Sequence, residues 1–186
     1  MFNKLFKQKN IEARNLYACA LENARNEVFY TDYGVPDTFD GRFDLLLLHI
    51  FIILNRMMDR KDYEELSQDL FDVMFENMDQ TLREMGIGDV GIPKHMKKMM
   101  KAFNGRMHNY QMAISPETFD GDEIDGLSQT SLSEVVARNL YAMELGNKEL
   151  DETAVNAICA FMRDNLKNTE NISEFTMIEG KSNNVR

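Results

Sequence analysis

Apolar residues recur along this chain at spacings of three and four, the period of helices with one buried face. Ala13, Tyr17, Ala20, Leu21, Ala24 and Val28 predict a first helix from Ile11 to Tyr30. The pattern then changes. Leu45 to Leu48 and Ile50 to Leu54 are apolar on every side, interrupted only by His49. A helix without a polar face is a membrane span or the central post of a bundle. A span needs about 20 apolar residues, and this run is closed by Asp44 on one side and Asn55-Arg56 on the other. It predicts a post over residues 41–58, with Asp40 as the expected N-cap and Gly41 and Arg42 in the first turn.

Further elements are predicted to wrap that post. Tyr63 to Met85 carries an apolar stripe (Leu66, Leu70, Met74, Met78, Leu82) and an acidic one, Glu65, Asp69, Asp72, Glu76 and Asp79. Gly86 closes this helix. From Pro93 to about Ala113 a sharply two-faced helix follows. Met96, Met99, Met100, Phe103 and Met107 lie along one side, and Lys94, Lys97, Lys98 and Lys101 along another. Residues 115–130, with Pro116, Gly121 and Gly126 among acids, read as a loop. Ser131 with Glu134 forms a capping box for a helix to about Leu145, stopped by Gly146. A last helix runs from Lys148 to Leu166. The expected fold is all-α: a single-domain bundle of about six helices around the apolar post, ending in a helical hairpin. Residues 1–10 form a basic N-terminal segment, 11–167 the helical domain, and 168–186 a polar tail expected to fray. The basic segment reads either as a frayed helix start or as a contact for an anionic membrane surface.

Composition narrows the chemistry. A net charge of −10 argues against general nucleic-acid binding, and DNA is not an expected partner. Cys19 and Cys159 have no metal or redox spacing and read as thiols in a reducing compartment. No secretory signal or long transit peptide is readable at the N-terminus, so the expected location is cytoplasmic, or peripheral at the inner face of a membrane. His49, His95 and His108 sit on separate segments without ligand spacing, and no catalytic constellation is present, so neither metal nor enzyme is expected. Gly86-Ile87-Gly88-Asp89-Val90-Gly91 matches a dinucleotide-binding fingerprint, but it follows a helix rather than a strand and reads as an interhelical turn. Two readings stand for the lysine stripe. It either pairs with the acidic stripe of an antiparallel neighbour or docks an anionic partner such as ribosomal RNA or acidic lipid. Fourteen methionines suit a surface that accepts varied apolar shapes, as well as a core.

Two stretches carry a resemblance. Tyr33-Gly34-Val35-Pro36-Asp37-Thr38-Phe39-Asp40-Gly41-Arg42-Phe43-Asp44, running into Leu45 to His49, resembles the signature of the ubiquinol–cytochrome c chaperone family. Phe71-Asp72 onward, with Met78-Asp79-Gln80-Thr81-Leu82-Arg83-Glu84-Met85-Gly86-Ile87-Gly88-Asp89 and on to Gly105-Arg106, resembles its second motif. The likeness covers about residues 11 to 113, and the N-terminus fits the bacterial type. It implies a non-enzymatic assembly chaperone of the cytochrome bc1 complex that binds and shields newly made cytochrome b. It further implies a small protein partner and work near the ribosomal exit. By matching position, Asp37, Asp40 and Arg42, with His49 behind them, belong to the first motif, and Asp89 with Lys94, Lys97, Lys98 and Lys101 to the second. Met96, Met99, Met100 and Phe103 would offer the client an apolar face. The alternatives are a haem- or cofactor-binding bundle linked through His49, and a scaffold for one folded partner; no cofactor is expected on the main reading.

Overall fold

The structure, a computed structural model, describes residues 2–114, 131–141, 151–167 and 171–175, with side chains from residue 11 onward. All regular elements among the described residues are helices: α1 (Phe2–Ala24), α2 (Val28–Thr31), α3 (Phe39–Met57), α4 (Tyr63–Glu84), α5 (Ile92–Ile114), α6 (Leu132–Tyr141) and α7 (Glu152–Lys167). The loop expected at 115–130 and the helix end near Leu145 lie outside the described residues.

α3 is the post. Leu45, Leu47, Leu48, Ile52 and Ile53 are wholly buried, and α1, α4, α5, α6 and α7 all pack against this helix. Truncating one such leucine to alanine costs about 2–5 kcal/mol, because the surrounding helices close the gap only in part. α1 lies along α4, and α6 pairs with α7 as the expected C-terminal hairpin.

The cap of α3 differs from expectation. Thr38, not Asp40, is the N-cap: its extended backbone (φ −120°, ψ 166°) precedes the helix and its hydroxyl accepts from the Gly41 amide at 3.0 Å. Pro36 holds Val35 extended and lets the helix begin earlier than the apolar run, leaving Asp40 in the first turn, where its charge suits the helix dipole. Gly41 is there for space. A Cβ at this position would stand 2.1 Å from the Pro36 carbonyl oxygen.

The expected first helix is two. Asn26 interrupts it by accepting the Val28 amide at 3.1 Å, a local bond that competes with the helical ladder. Tyr30 then reaches back to the Ala24 carbonyl at 2.6 Å. At the end of α4, Gly86 has φ +83°, and the amides of Gly86 and Ile87 donate to Arg83 and Leu82 in a Schellman arrangement. The Ser131–Glu134 capping box is formed, Ser131 N donating to Glu134 at 2.8 Å and Glu134 N to Ser131 Oγ at 3.3 Å. α7 starts later than the sequence pattern, at Glu152, because Asp151 accepts the Thr153 and Ala154 amides.

Part of the tail expected to fray is packed instead. Residues 171–175 lie against the bundle, held by Arg56 near the end of α3. Arg56 donates to the carbonyls of Asn165, Asn171, Ile172 and Glu174 and to the Asn165 side chain, over distances of 2.6–3.3 Å. Its guanidinium also sits 5.1 Å from the centre of the Phe175 ring. Phe175 in turn covers His49. That imidazole is fully buried among Phe29, Phe161 and Phe175, with ring centres 5.1–5.5 Å away. Its Nδ1 bonds the Leu45 carbonyl at 2.9 Å, and burial pushes its pKa down to about 4, so the ring is neutral.

Candidate docking cleft

The start of α3 and the end of α4 leave a space between them that the bundle does not fill. It is a cleft of about 510 Å³. One wall comes from the first motif: Pro36, Thr38, Phe39, Gly41 and Phe43, with Asp40 and Asp44. The opposite wall comes from the second: Leu82, Met85 and Ile87 at the α4–α5 turn, then His95, Lys98, Met99, Ala102 and Arg106 along α5. Asn139 and Leu140 of α6 complete the lining. Local chemistry explains the placement. The Thr38 cap and the contact between Gly41 and Pro36 fold the first loop onto the helix start. The Schellman turn at Gly86 brings Ile87 back beside Leu82.

A carboxylate–guanidinium pair crosses the base. Arg106 Nε lies 2.6 Å from Asp44 Oδ1, and Nη2 donates to Oδ2 at 2.9 Å, a two-point contact that fixes the fork. Asp44 is nearly buried, and burial raises its carboxyl above the usual range despite the neighbouring cation. At the rim, Lys98 Nζ stands 3.5 Å from Asp40 Oδ2, both well exposed. Walls are apolar, charges are paired, and the interior is large enough for several side chains of a partner.

Two buried polar groups lie together in this region. Asn139 is 5% exposed, and its Nδ2 is shut off from solvent. The Tyr110 hydroxyl, fully buried, interacts with the Asn139 side chain.

Of the residues marked out by sequence, Asp40, Lys98 and Met99 line the cleft. Asp37 and Arg42 form an exposed ion pair outside it, with Arg42 over the Tyr30 ring at 5.5 Å and the Asp37 carboxyl held below its usual range by that cation. Asp89 projects from the α4–α5 turn and pairs with Arg83. Met96 and Phe103 pack half-buried against the core, Phe103 edge-on to Phe71 and Phe75; Met100 is exposed. Lys94, Lys97 and Lys101 are exposed along α5. Three members of the acidic stripe of α4 have partners other than the lysines. Glu76 pairs with Arg14 of α1 at 3.0 Å, Asp79 with Arg83 of its own helix at 2.6 Å, and Asp72 accepts from Gln68.

Sequence reasoning missed Asp44, Arg106 and Asn139. Asp44 was visible as a charge opening an apolar run, and Arg106 as the end of the second motif. Asn139 had one signal, its place in the repeated Ala-Arg-Asn-Leu-Tyr-Ala at 137–142.

Comparison with known proteins places the chain among relatives. A family model described as ubiquinol-cytochrome C chaperone matches residues 31–183. The crystal structure of the Cbp3 homolog from Brucella abortus superposes with a TM-score of 0.70 at 28% identity, covering 96% of this chain and 97% of that one. Ubiquinol-cytochrome-c reductase complex assembly factor 1 of Xenopus laevis is 26% identical over 105 residues, 56% of this chain and 52% of its own length. The Mus musculus factor of that name is 28% identical over 105 residues, 36% of its length. The match therefore spans about half or less of these curated relatives. No described helix is long and apolar enough to cross a membrane. Since the family model runs through both walls of the cleft and its α6 edge, the chain belongs to the ubiquinol–cytochrome c chaperone family.

Proposed function

We propose that this protein is a non-enzymatic assembly chaperone of the cytochrome bc1 complex, and that it shields newly made cytochrome b by seating an apolar segment of it in the cleft. The observation that supports this most is the convergence of both motifs on one apolar-walled space with paired charges. An unassembled membrane subunit exposes apolar surface, and a preformed cleft of this kind removes part of it from water, worth about 25 cal/mol per Å² covered. Asp40, Lys98 and Met99 would meet the client directly. Met96, Met100 and Phe103 extend the same helix face. The exposed Lys94, Lys97 and Lys101, with Asp37, Arg42 and Asp89 on neighbouring turns, would form the outer surface for a ribosome, an anionic membrane or a small protein partner. The protein would then act at the inner face of the membrane.

Deletion of the gene, followed by assay of cytochrome b and of the assembled complex, tests the role. Loss of both is expected, with rescue by the wild-type gene but not by Ala102→Phe, which fills the cleft. Normal cytochrome b accumulation without the protein would contradict the proposal. The cofactor alternative rests on His49, whose Nε2 has no hydrogen-bond partner among the described residues. Three phenyl rings close around it, and a haem titration showing a Soret shift lost in His49→Ala would be needed to favour that reading.

A further inference from the structure

Positive charge and exposed apolar groups coincide on one part of the surface. The chain carries 31 acidic residues, and none of them falls between Val90 and Ile114, the turn into α5 and the whole of that helix. Lys94, Lys97, Lys98 and Lys101 are spaced by three and four, which puts them on one side of α5. Lys98 reaches Asp40, while Lys94, Lys97 and Lys101 are exposed and have no ion pair among the described residues. Asp89, the last acid before this stretch, is taken by Arg83. Six large apolar side chains are exposed among the described residues, and four of them, Met85, Val90, Met100 and Met112, lie from just past α4 to near the end of α5. Val90 is 97% exposed, on a turn closed by the Gly91 amide donating to the Gly88 carbonyl at 2.7 Å.

Lysines beside bare apolar side chains fit a lipid headgroup layer, where the ammonium groups meet phosphate and the apolar groups reach the acyl boundary. An RNA backbone would use the lysines alone, and the two aromatic rings of α5, Phe103 and Tyr110, pack inward and offer no platform for bases. We propose that the α4–α5 turn and the lysine side of α5 dock on an anionic phospholipid bilayer, with Val90 entering it and the cleft opening toward it. The cleft shares this side because Lys98 belongs both to the lysine row and to the cleft lining, and exposed Met85 lines the cleft as well. A client segment would then pass from the bilayer edge into the cleft without crossing water. That consequence rests on the reading of the cleft as the client site; the lipid contact itself does not.

The chain has no tryptophan, so Val90→Trp introduces a single reporter, and Met58→Trp places one at the end of α3 away from the cleft. Both positions are exposed, so neither substitution should move thermal unfolding. With the full-length protein and phosphatidylcholine vesicles containing phosphatidylglycerol, emission from position 90 is expected to shift to the blue and to be quenched by brominated acyl chains. Position 58 should show neither, and pure phosphatidylcholine vesicles should leave both unchanged. In sedimentation of the otherwise native chain with the anionic vesicles, Lys94→Gln, Lys97→Gln and Lys101→Gln together should weaken binding on the order of 100-fold, at roughly fivefold per lysine. Val90→Ser should weaken it about fivefold, from the lost apolar contact. Failure to bind the anionic vesicles, binding without a shift at position 90, or equal shifts at both positions overturns the inference. So does vesicle binding that the triple variant retains. Loss of ribosome sedimentation in that variant, with no vesicle binding by the native chain, overturns it and gives the face to RNA. All of these results leave the client site standing, since no client is present.

Discussion

α3 carries a buried charge near each end, and the two are treated differently. Arg56, at the C-terminal end, donates to four main-chain carbonyls and one side chain, and a phenyl ring lies over it. Asp44, at the N-terminal end, has one guanidinium partner and borders an open cleft. The first arrangement is closed within the chain, and the second leaves one side open. On the proposed function, the closed end holds the fold and the open end is where a partner would sit.

The sharpest way to break this contrast is to remove Arg56. Arg56→Met keeps the aliphatic stem but strands the carbonyls of Asn165, Asn171, Ile172 and Glu174, and at about 1–3 kcal/mol for each buried acceptor left unpaired we expect a loss of at least about 3 kcal/mol in urea unfolding. Protease cleavage in the released tail should rise with it. Next in size is His49, between the two ends. Its folded pKa of about 4 lies below the ordinary 6.5, so its contribution is present above pH 6.5 and lost as pH falls toward 4. The loss amounts to about 3 kcal/mol across that window. His49→Leu should flatten the pH dependence of unfolding between pH 7 and 4, and an unchanged slope would show that the imidazole is not the group responsible. At the cleft, Arg106→Met leaves Asp44 near-buried and alone, costing about 2 kcal/mol by comparison with fully buried pairs. Restoring neutrality with Asp44→Asn in the same chain should recover most of that stability, though not client binding. Smallest in stability is the lysine face. Lys94→Glu, Lys97→Glu and Lys101→Glu together should change unfolding by less than about 0.5 kcal/mol, as exposed charges do. If that face docks anionic partners, co-sedimentation with acidic vesicles and ribosomes falls steeply in the same variant; unchanged sedimentation removes the tethering role.

Most of the fold was legible because the apolar run of α3 and the stripes of its neighbours follow helical period. The first motif and the second were each legible as stretches. Their meeting was not, because it depends on the Gly86 turn and on which face of α5 packs inward. The lysine and acidic stripes illustrate the limit. Both have matching spacing, yet α4 gives its Glu76 to α1, and Lys98 reaches Asp40 in the first turn of α3 instead. The repeated Ala-Arg-Asn-Leu-Tyr-Ala makes the point most cleanly. Asn15 in the first copy is exposed, whereas Asn139 in the second is buried at the cleft. Tyr17 bonds Asn77 across to α4 at 2.8 Å, and Tyr141 bonds the Tyr33 carbonyl at 2.8 Å. The same six residues end in different chemistry because the helices beside them differ.

On the proposed function, clients enter between the two motifs. Met85 and Met58 are comparably exposed, 57% and 52%, but only Met85 lines the cleft, while Met58 sits at the Arg56 end of α3. A photo-crosslinking amino acid placed at each position, irradiated during synthesis of cytochrome b, gives the most direct reading. A crosslink to cytochrome b is expected from position 85 and none from position 58. Equal crosslinking from both, or crosslinking from position 58 alone, would contradict it.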